Sequence, residues 1–192
     1  MTVRNLHQSG DVLAILWRGE SATQIVEFAL SLPLLVLFVV GIFDFSGAIT
    51  LKQKLTNAAR EGARVAAAGP ASDLGKALIP ASVEDAFYVV SNYLLSEKVN
   101  PCGLAGDPPA LSGTLTWKST ATTGCPGAGL ILTINRGCIP QPVSTTTGNV
   151  VSTCVTIQYP YKWQYNNAAS LLGISFTGPT SIKTTAASFN EN

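Results

Sequence analysis

Apolar positions are spread very unevenly along this chain. From Phe28 to Phe43, sixteen residues pass without a charge, the least hydrophobic being Ser31, Pro33 and Gly41. Crossing a bilayer core takes ~20 helical residues, with ~17 as a practical minimum. Ile25 and Val26 before Glu27, and Phe45 to Leu51 after Asp44, bring the run to that length. The pattern predicts a membrane span over about residues 25–48. A core helix of a soluble domain and a cleaved secretory signal are the two alternatives. A signal core is short and meets a small-residue cut site soon after it, whereas this run leads directly into more helix. A retained span is the stronger reading.

Helical character covers about 20–68, with Ser21 or Thr23 placed to cap its start. At 1.5 Å per residue such a helix is roughly 70 Å long, so it must leave the bilayer and continue into an outer domain. Pro33 falls inside it, where the missing N–H removes a backbone bond and bends helices. Beyond the span, Ala58, Gly62 and Ala66 recur every four residues, as do Ala59, Ala63 and Ala67. Small residues at that spacing leave a smooth face that another backbone can approach closely. It can pack against the protein's own sheet or against a neighbouring subunit, and the pattern leaves both open. Arg60, Glu61 and Arg64 read as a solvated or ion-paired stripe.

Gly69-Pro70 stops the helix. A second amphipathic helix is predicted over about Val83 to Lys98, with Val83, Phe87, Val90, Leu94 and Leu95 on one side and Val89 and Tyr93 widening the stripe. The rest reads as strand and turn. "GTLTWKST", "GLILTINRGC" and "VVSTCVTIQYPYKW" are strand-like, and "SIKTTAASFNE" fits a final strand. Helices followed by strands give an α+β class: a long, partly transmembrane helix packed on a small antiparallel sheet with a second helix. The domain plan is a leader over 1–19, a helix over 20–68 and an extracytoplasmic α+β domain over 69–192.

Composition narrows the function classes. Only 12% of residues are charged and the formal net charge is +1, which gives no basis for a nucleic-acid partner. The single histidine, His7, lies in the leader, and no GxSxG, HExxH or phosphate-cradling glycine loop occurs. The carboxylates Asp73, Glu84, Asp85, Glu97 and Asp107 are scattered. No catalytic residue, metal ligand set or cofactor is therefore expected.

All four cysteines, Cys102, Cys125, Cys138 and Cys154, lie downstream of the span without CxxC spacing. They read as two disulfides, hence an oxidising compartment. Strands over about 130–138 and 150–159 flank an eleven-residue loop and bring Cys138 near Cys154, leaving Cys102 for Cys125. This is the favoured one of three possible pairings. Charge speaks for the opposite orientation: Arg4 and Arg18 precede the span, while Lys52, Lys54, Arg60 and Arg64 follow it. Long domains can translocate whatever their charge, so the cysteines carry more weight.

The block "GESATQIVEFALSLPLLVLFVVGIFDFSGAITLKQKLTNAAREGARVAAAG" resembles the N-terminal region of the TadE-like family, pseudopilins of tight-adherence (type IVc) pilus systems. The matching features are Glu27-Phe28-Ala29-Leu30, Pro33, Gly41, Asp44-Phe45 and the "NAAREGAR" segment, Asn57 to Arg64. "VTIQYPYKW" with a closing strand is a weaker likeness to the family's end. The resemblance implies a single-pass protein of a bacterial inner membrane, cytoplasmic at its N-terminus, with a pilin-like outer domain in the periplasm or on a surface pilus. It implies as partners other pilin-like subunits, the inner-membrane assembly machinery and membrane lipid. The role is that of a filament subunit or assembly pseudopilin. A membrane-anchored periplasmic factor and an adhesin-like module with Thr-rich loops such as "PVSTTTGN" are the alternatives.

Glu27 stands at the start of the apolar run. A charge in hydrocarbon costs several kcal/mol and usually faces a protein partner. Paired with a neighbour's amino terminus or Arg18, it would fix the offset between subunits; at headgroup level it would simply be hydrated. Asp44, about 25 Å further along, falls near the opposite interface. The helix-packing candidates are thus Glu27, Phe28, Pro33, Gly41, Asp44, Ala58, Gly62 and Ala66. Type IV pilins are cut after a glycine and carry a glutamate at the fifth mature position. Here Gly19-Glu20 is the candidate processing site, but it would put Gln24 fifth and Glu27 eighth. Intact-mass measurement of the purified protein decides: loss of residues 1–19 establishes cleavage, and a Met1 start rules it out.

Overall fold

The computed structural model describes residues 20–75, 79–138, 151–170, 173 and 178–190. One continuous helix, α1, runs over Glu20–Ala68, with Ser21 and Thr23 inside it. A single 3-10 turn at Ala71–Asp73 leads to α2, Ala81–Ser96. After another such turn at Leu104–Gly106 come β1 (Ala110–Gly113), β2 (Thr116–Ala121), β3 (Leu130–Cys138) and β4 (Ser152–Pro160). A short helix α3, Tyr165–Ser170, precedes β5, Ser181–Phe189. The strands form one antiparallel sheet in the order β1-β2-β3-β4-β5. This is the α+β arrangement expected from helices followed by strands.

Contacts divide the chain into two units. One comprises α1 as far as Asp44 together with the segment Gln164–Phe176; the other comprises Phe45–Trp163 and the chain from Thr177. The second unit has the core. Along β3 the inward positions are Leu130, Leu132 and Ile134, and β4 sets Ile157 opposite Leu132 and Val155 opposite Ile134. The alternation is what a sheet with one covered face requires. α2 turns Val83, Ala86, Phe87, Val90 and Leu94 inward, each large side chain contributing about 1.5–3 kcal/mol on burial. Leu95, expected on this stripe, is 55% exposed. It lies one residue past Leu94 and turns outward, while Ala86 is an inward position that the stripe did not name.

The small-residue face of α1 completes this core. Ala58, Ala59, Ala63 and Ala66 have no exposed surface, and Gly62 is buried with them. A Cβ on Gly62 would lie 2.6 Å from Val90 Cγ2, 3.6 Å from Ala86 O and 3.7 Å from Val155 Cγ1. Of the two partners left open by the pattern, the face meets the protein's own α2 and sheet. Ala58, Gly62 and Ala66 are therefore taken up inside the fold. The charged side of α1 faces out, with Arg64 3.0 Å from Glu61. Thr56 adds a hydroxyl contact to Thr184 of β5 at 2.8 Å.

Two further differences from the sequence pattern have local causes. "GTLTWKST" is not one strand: Leu115 adopts φ +50, which turns the chain and separates β1 from β2. α3 lies in "QYNNAAS", where helical periodicity is too short to show. The disulfides are Cys102–Cys125 and Cys138–Cys154, closing separations of 23 and 16 residues. Asn100 braces the first, accepting from Cys102 N–H and donating to Gly124 C=O, both at 3.0 Å. The loop "IPQPVSTTTGN" between β3 and β4 lies outside the described residues.

The inward pattern of β3 ends on a charge. Arg136 is only 1% exposed and donates from Nη2 to Gly69 C=O at 2.9 Å, just past the end of α1. A cation suits that place, where unpaired carbonyls give the helix end a negative potential. Burial pushes the guanidinium pKa down and the Asp73 carboxylate pulls it back up. Asp73, also buried, accepts from Ser82 N–H at 3.3 Å. The two groups influence each other without forming an ion pair within 4 Å, so removing Arg136 leaves the Gly69 carbonyl and the Asp73 charge less compensated, at a cost of about 1–3 kcal/mol. Arg136→Met should therefore lower the melting temperature of the full chain in detergent by roughly 5 °C. Adding Asp73→Asn should recover part of that loss. An unchanged melt for Arg136→Met would refute the coupling.

Candidate functional site

The surface that most needs explanation is the first half of α1. Between Ile25 and Phe45, Phe28, Leu30, Leu35, Phe38, Ile42 and Phe43 are each more than 60% exposed. Monomeric soluble proteins seldom expose contiguous apolar patches above a few hundred Å², and this patch covers six turns on every side except the face of Leu37, Val40, Gly41 and Asp44. A buried core helix is ruled out, because only Leu37 and Asp44 in this stretch are buried. The Thr23–Ala68 part of the helix is long and apolar enough to cross a membrane. Helix is also the required conformation there, since hydrocarbon offers no partner to backbone N–H and C=O groups.

Within this surface, Glu27 is exposed next to exposed Phe28. Pro33 is accommodated without ending the helix, although it leaves the carbonyl four residues earlier without its usual donor. Ser31, two residues before it, donates its hydroxyl to Phe28 C=O at 3.1 Å. Gly19 of the candidate processing site lies outside the described residues, while Glu20 opens α1.

Gly41 and Asp44 are brought together by an element the sequence pattern did not reveal. A Cβ on Gly41 would lie 3.2–3.3 Å from the Tyr165 ring, so glycine lets that ring lie against the helix. Asp44, 8% exposed, accepts the Tyr165 backbone N–H through Oδ2 at 2.9 Å. Tyr165 is the first residue of α3, whose opening N–H groups have no partner within the helix. A carboxylate there satisfies one of them and complements the helix dipole. Asp44 thus does more than mark the end of the apolar run. The signal in the sequence was an acid standing between the charge-free run and its extension from Phe45, with a glycine three residues before it; nothing in it pointed to position 165.

Among the described residues, no group of three or more His, Cys, Asp and Glu could hold a metal ion. The carboxylates named from the sequence are not gathered: Glu97 faces Lys54 at 3.5 Å, and Asp73 faces Ser82.

Asp44→Ala should release α3. A hydrogen bond to a charged group contributes about 1.5–3 kcal/mol, so amide exchange at Tyr165 should accelerate roughly tenfold or more, with Asp44→Asn in between. Unchanged exchange at Tyr165 in Asp44→Ala would contradict the capping role.

No match to the chain was found among curated proteins or among solved structures. One family model does match, over residues 23–64. The matched stretch includes the exposed apolar turns, Glu27, Pro33, Gly41 and Asp44, and it ends inside the small-residue face. Over residues 23–64 the chain is thus similar to the family described as TadE-like protein.

Proposed function

We propose that this chain is a TadE-like pseudopilin: a single-pass membrane protein that takes part in building a Tad-type pilus, or enters it, through bundling of its N-terminal helix. The observation that carries the proposal is the exposure of the large apolar side chains Phe28, Leu30, Leu35, Phe38, Ile42 and Phe43 along the turns of α1 from Ile25 to Phe45. The family match at 23–64 supports it. In a bilayer these turns meet lipid or similar helices, and association between them relies on packing and on polar groups that find partners.

Glu27 supplies such a polar group. Exposed at the start of the apolar run, it is costly in hydrocarbon unless a cation meets it. A neighbour's amino terminus or Arg18 would serve, and a neighbour displaced along the axis would leave the acid unpaired. A position of the globular domain outside the cytoplasm is supported by the disulfides Cys102–Cys125 and Cys138–Cys154, since such bonds persist in oxidising compartments. The N-terminus would then be cytoplasmic, in the inner membrane. The chain acts without a cofactor and catalyses no reaction in this reading; its work is assembly.

One observation favours a second reading, an anchored assembly factor that stays out of the filament. Ala58, Gly62 and Ala66 are spent inside the fold, so close helix contact with a neighbour is confined to the first half of α1. Glu27→Ala separates the two. As a filament subunit, the variant should insert into membranes normally but be at least tenfold depleted from purified filaments. Normal incorporation would refute the pairing role. Absence of the unaltered chain from filaments would favour the anchored factor.

A further inference from the structure

A cavity of about 420 Å³ opens in the globular unit between Ser46, Thr50 and Lys54 of α1, the residues Lys98 and Asn100 that follow α2, and Tyr159 of β4. Its polar groups are unequal. Asn100 is committed to Cys102 N–H and Gly124 C=O, and so forms a fixed wall. Lys54 is held by Glu97, 2.8 Å from its carbonyl oxygen and 3.5 Å from its carboxylate. Thr50 donates to Ser46 C=O at 3.0 Å. What remains facing the space is donor-rich: the Ser46 hydroxyl, the Tyr159 hydroxyl and the Lys98 ammonium. Lys98 is exposed and forms no salt bridge among the described residues. Its left-handed backbone, φ +56, turns the chain where α2 ends. Burial pushes the Tyr159 phenol pKa up, so the hydroxyl keeps its proton at neutral pH. No carboxylate lines the cavity, and an uncompensated cation does. The chemistry is that of an anion site.

Its position along α1 narrows the anion. The span expected over about residues 25–48 ends between Ser46 and Thr50, so this wall of the cavity lies within about 3 Å of helix on either side of the hydrocarbon edge. The headgroup layer begins where the hydrocarbon core ends and is roughly 5–8 Å thick on each side. We propose that this cavity holds the phosphate group of an anionic phospholipid at the outer edge of the span. Lys98 and Tyr159 would bind the phosphate oxygens, and Ser46 a glycerol hydroxyl. The site rests on the membrane reading above and gives the helix a fixed depth, because a bound headgroup ties the globular unit to the bilayer surface.

The test uses the full chain in nanodiscs of phosphatidylcholine with a minority of phosphatidylglycerol, and native mass spectrometry of the lipids that leave with the protein. Phosphatidylglycerol should be enriched over its share in the disc. Lys98→Gln should cut that enrichment roughly fivefold, the attraction of one basic residue to an anionic surface. Lys98→Arg should keep it, Tyr159→Phe should weaken it, and Lys183→Gln on β5 should leave it unchanged. Full enrichment in Lys98→Gln, or an equal loss in Lys183→Gln, would overturn the site. Displacement of the lipid by millimolar inorganic phosphate would overturn the lipid assignment in favour of a free-anion site. A chain that does not enter the discs at all would instead overturn the membrane reading, and is told apart by its absence from the disc fraction.

Discussion

At Gly62 a single added carbon would sit 2.6 Å from Val90, so α1 and α2 lie here at a separation that only glycine permits. That approach organises the globular unit. It draws α1 close enough for Ala58, Ala59, Ala63 and Ala66 to lose all exposure, and it brings the sheet's Val155 to the same point. Interiors are packed as tightly as molecular crystals, so changes of one methylene are felt there. The end of α1 is fixed as well, since Arg136 from β3 meets the carbonyl of Gly69. The second half of the helix is thereby a wall of the domain rather than a linker.

The same helix therefore carries two opposite surfaces in sequence. Over its first turns the large apolar side chains are exposed; over its last turns only small ones occur on the face that packs. Water cannot solvate the first surface at acceptable cost, and the second gains from close contact with another backbone. Each composition suits the medium its turns meet, hydrocarbon for the one and a protein core for the other. The disulfides add support on the side of the sheet, closing loops of 23 and 16 residues in a domain of modest core, at about 2–4 kcal/mol each.

Much of this was legible in the chain. The span followed from length and hydropathy, the break at Gly69-Pro70 from residue type, β3 from its branched residues and β4 from the alternation around Cys154. What was not legible has physical reasons. α3 is six residues long, below what periodicity can reveal, and its contact with Asp44 joins positions 121 apart. Leu115 is an ordinary strand former whose left-handed backbone is imposed by context. Arg136 occupies an inward position that alternation alone would give to an aliphatic residue; only the carbonyls at the end of α1 explain it. The small-residue repeat was visible, but its spacing is the same whether a neighbour or the chain's own core fills the groove.

Whether the exposed turns of α1 lie in hydrocarbon is tested most directly by nitroxide scanning of the full chain in lipid bilayers. Single substitutions such as Leu30→Cys, Leu35→Cys, Phe38→Cys and Ile49→Cys would be spin-labelled, and collision with oxygen compared with that of a water-soluble nickel complex. Oxygen contact should dominate at positions 30, 35 and 38, and the balance should shift toward the nickel reagent at position 49. Nickel contact dominating at 30, 35 and 38 would contradict the account.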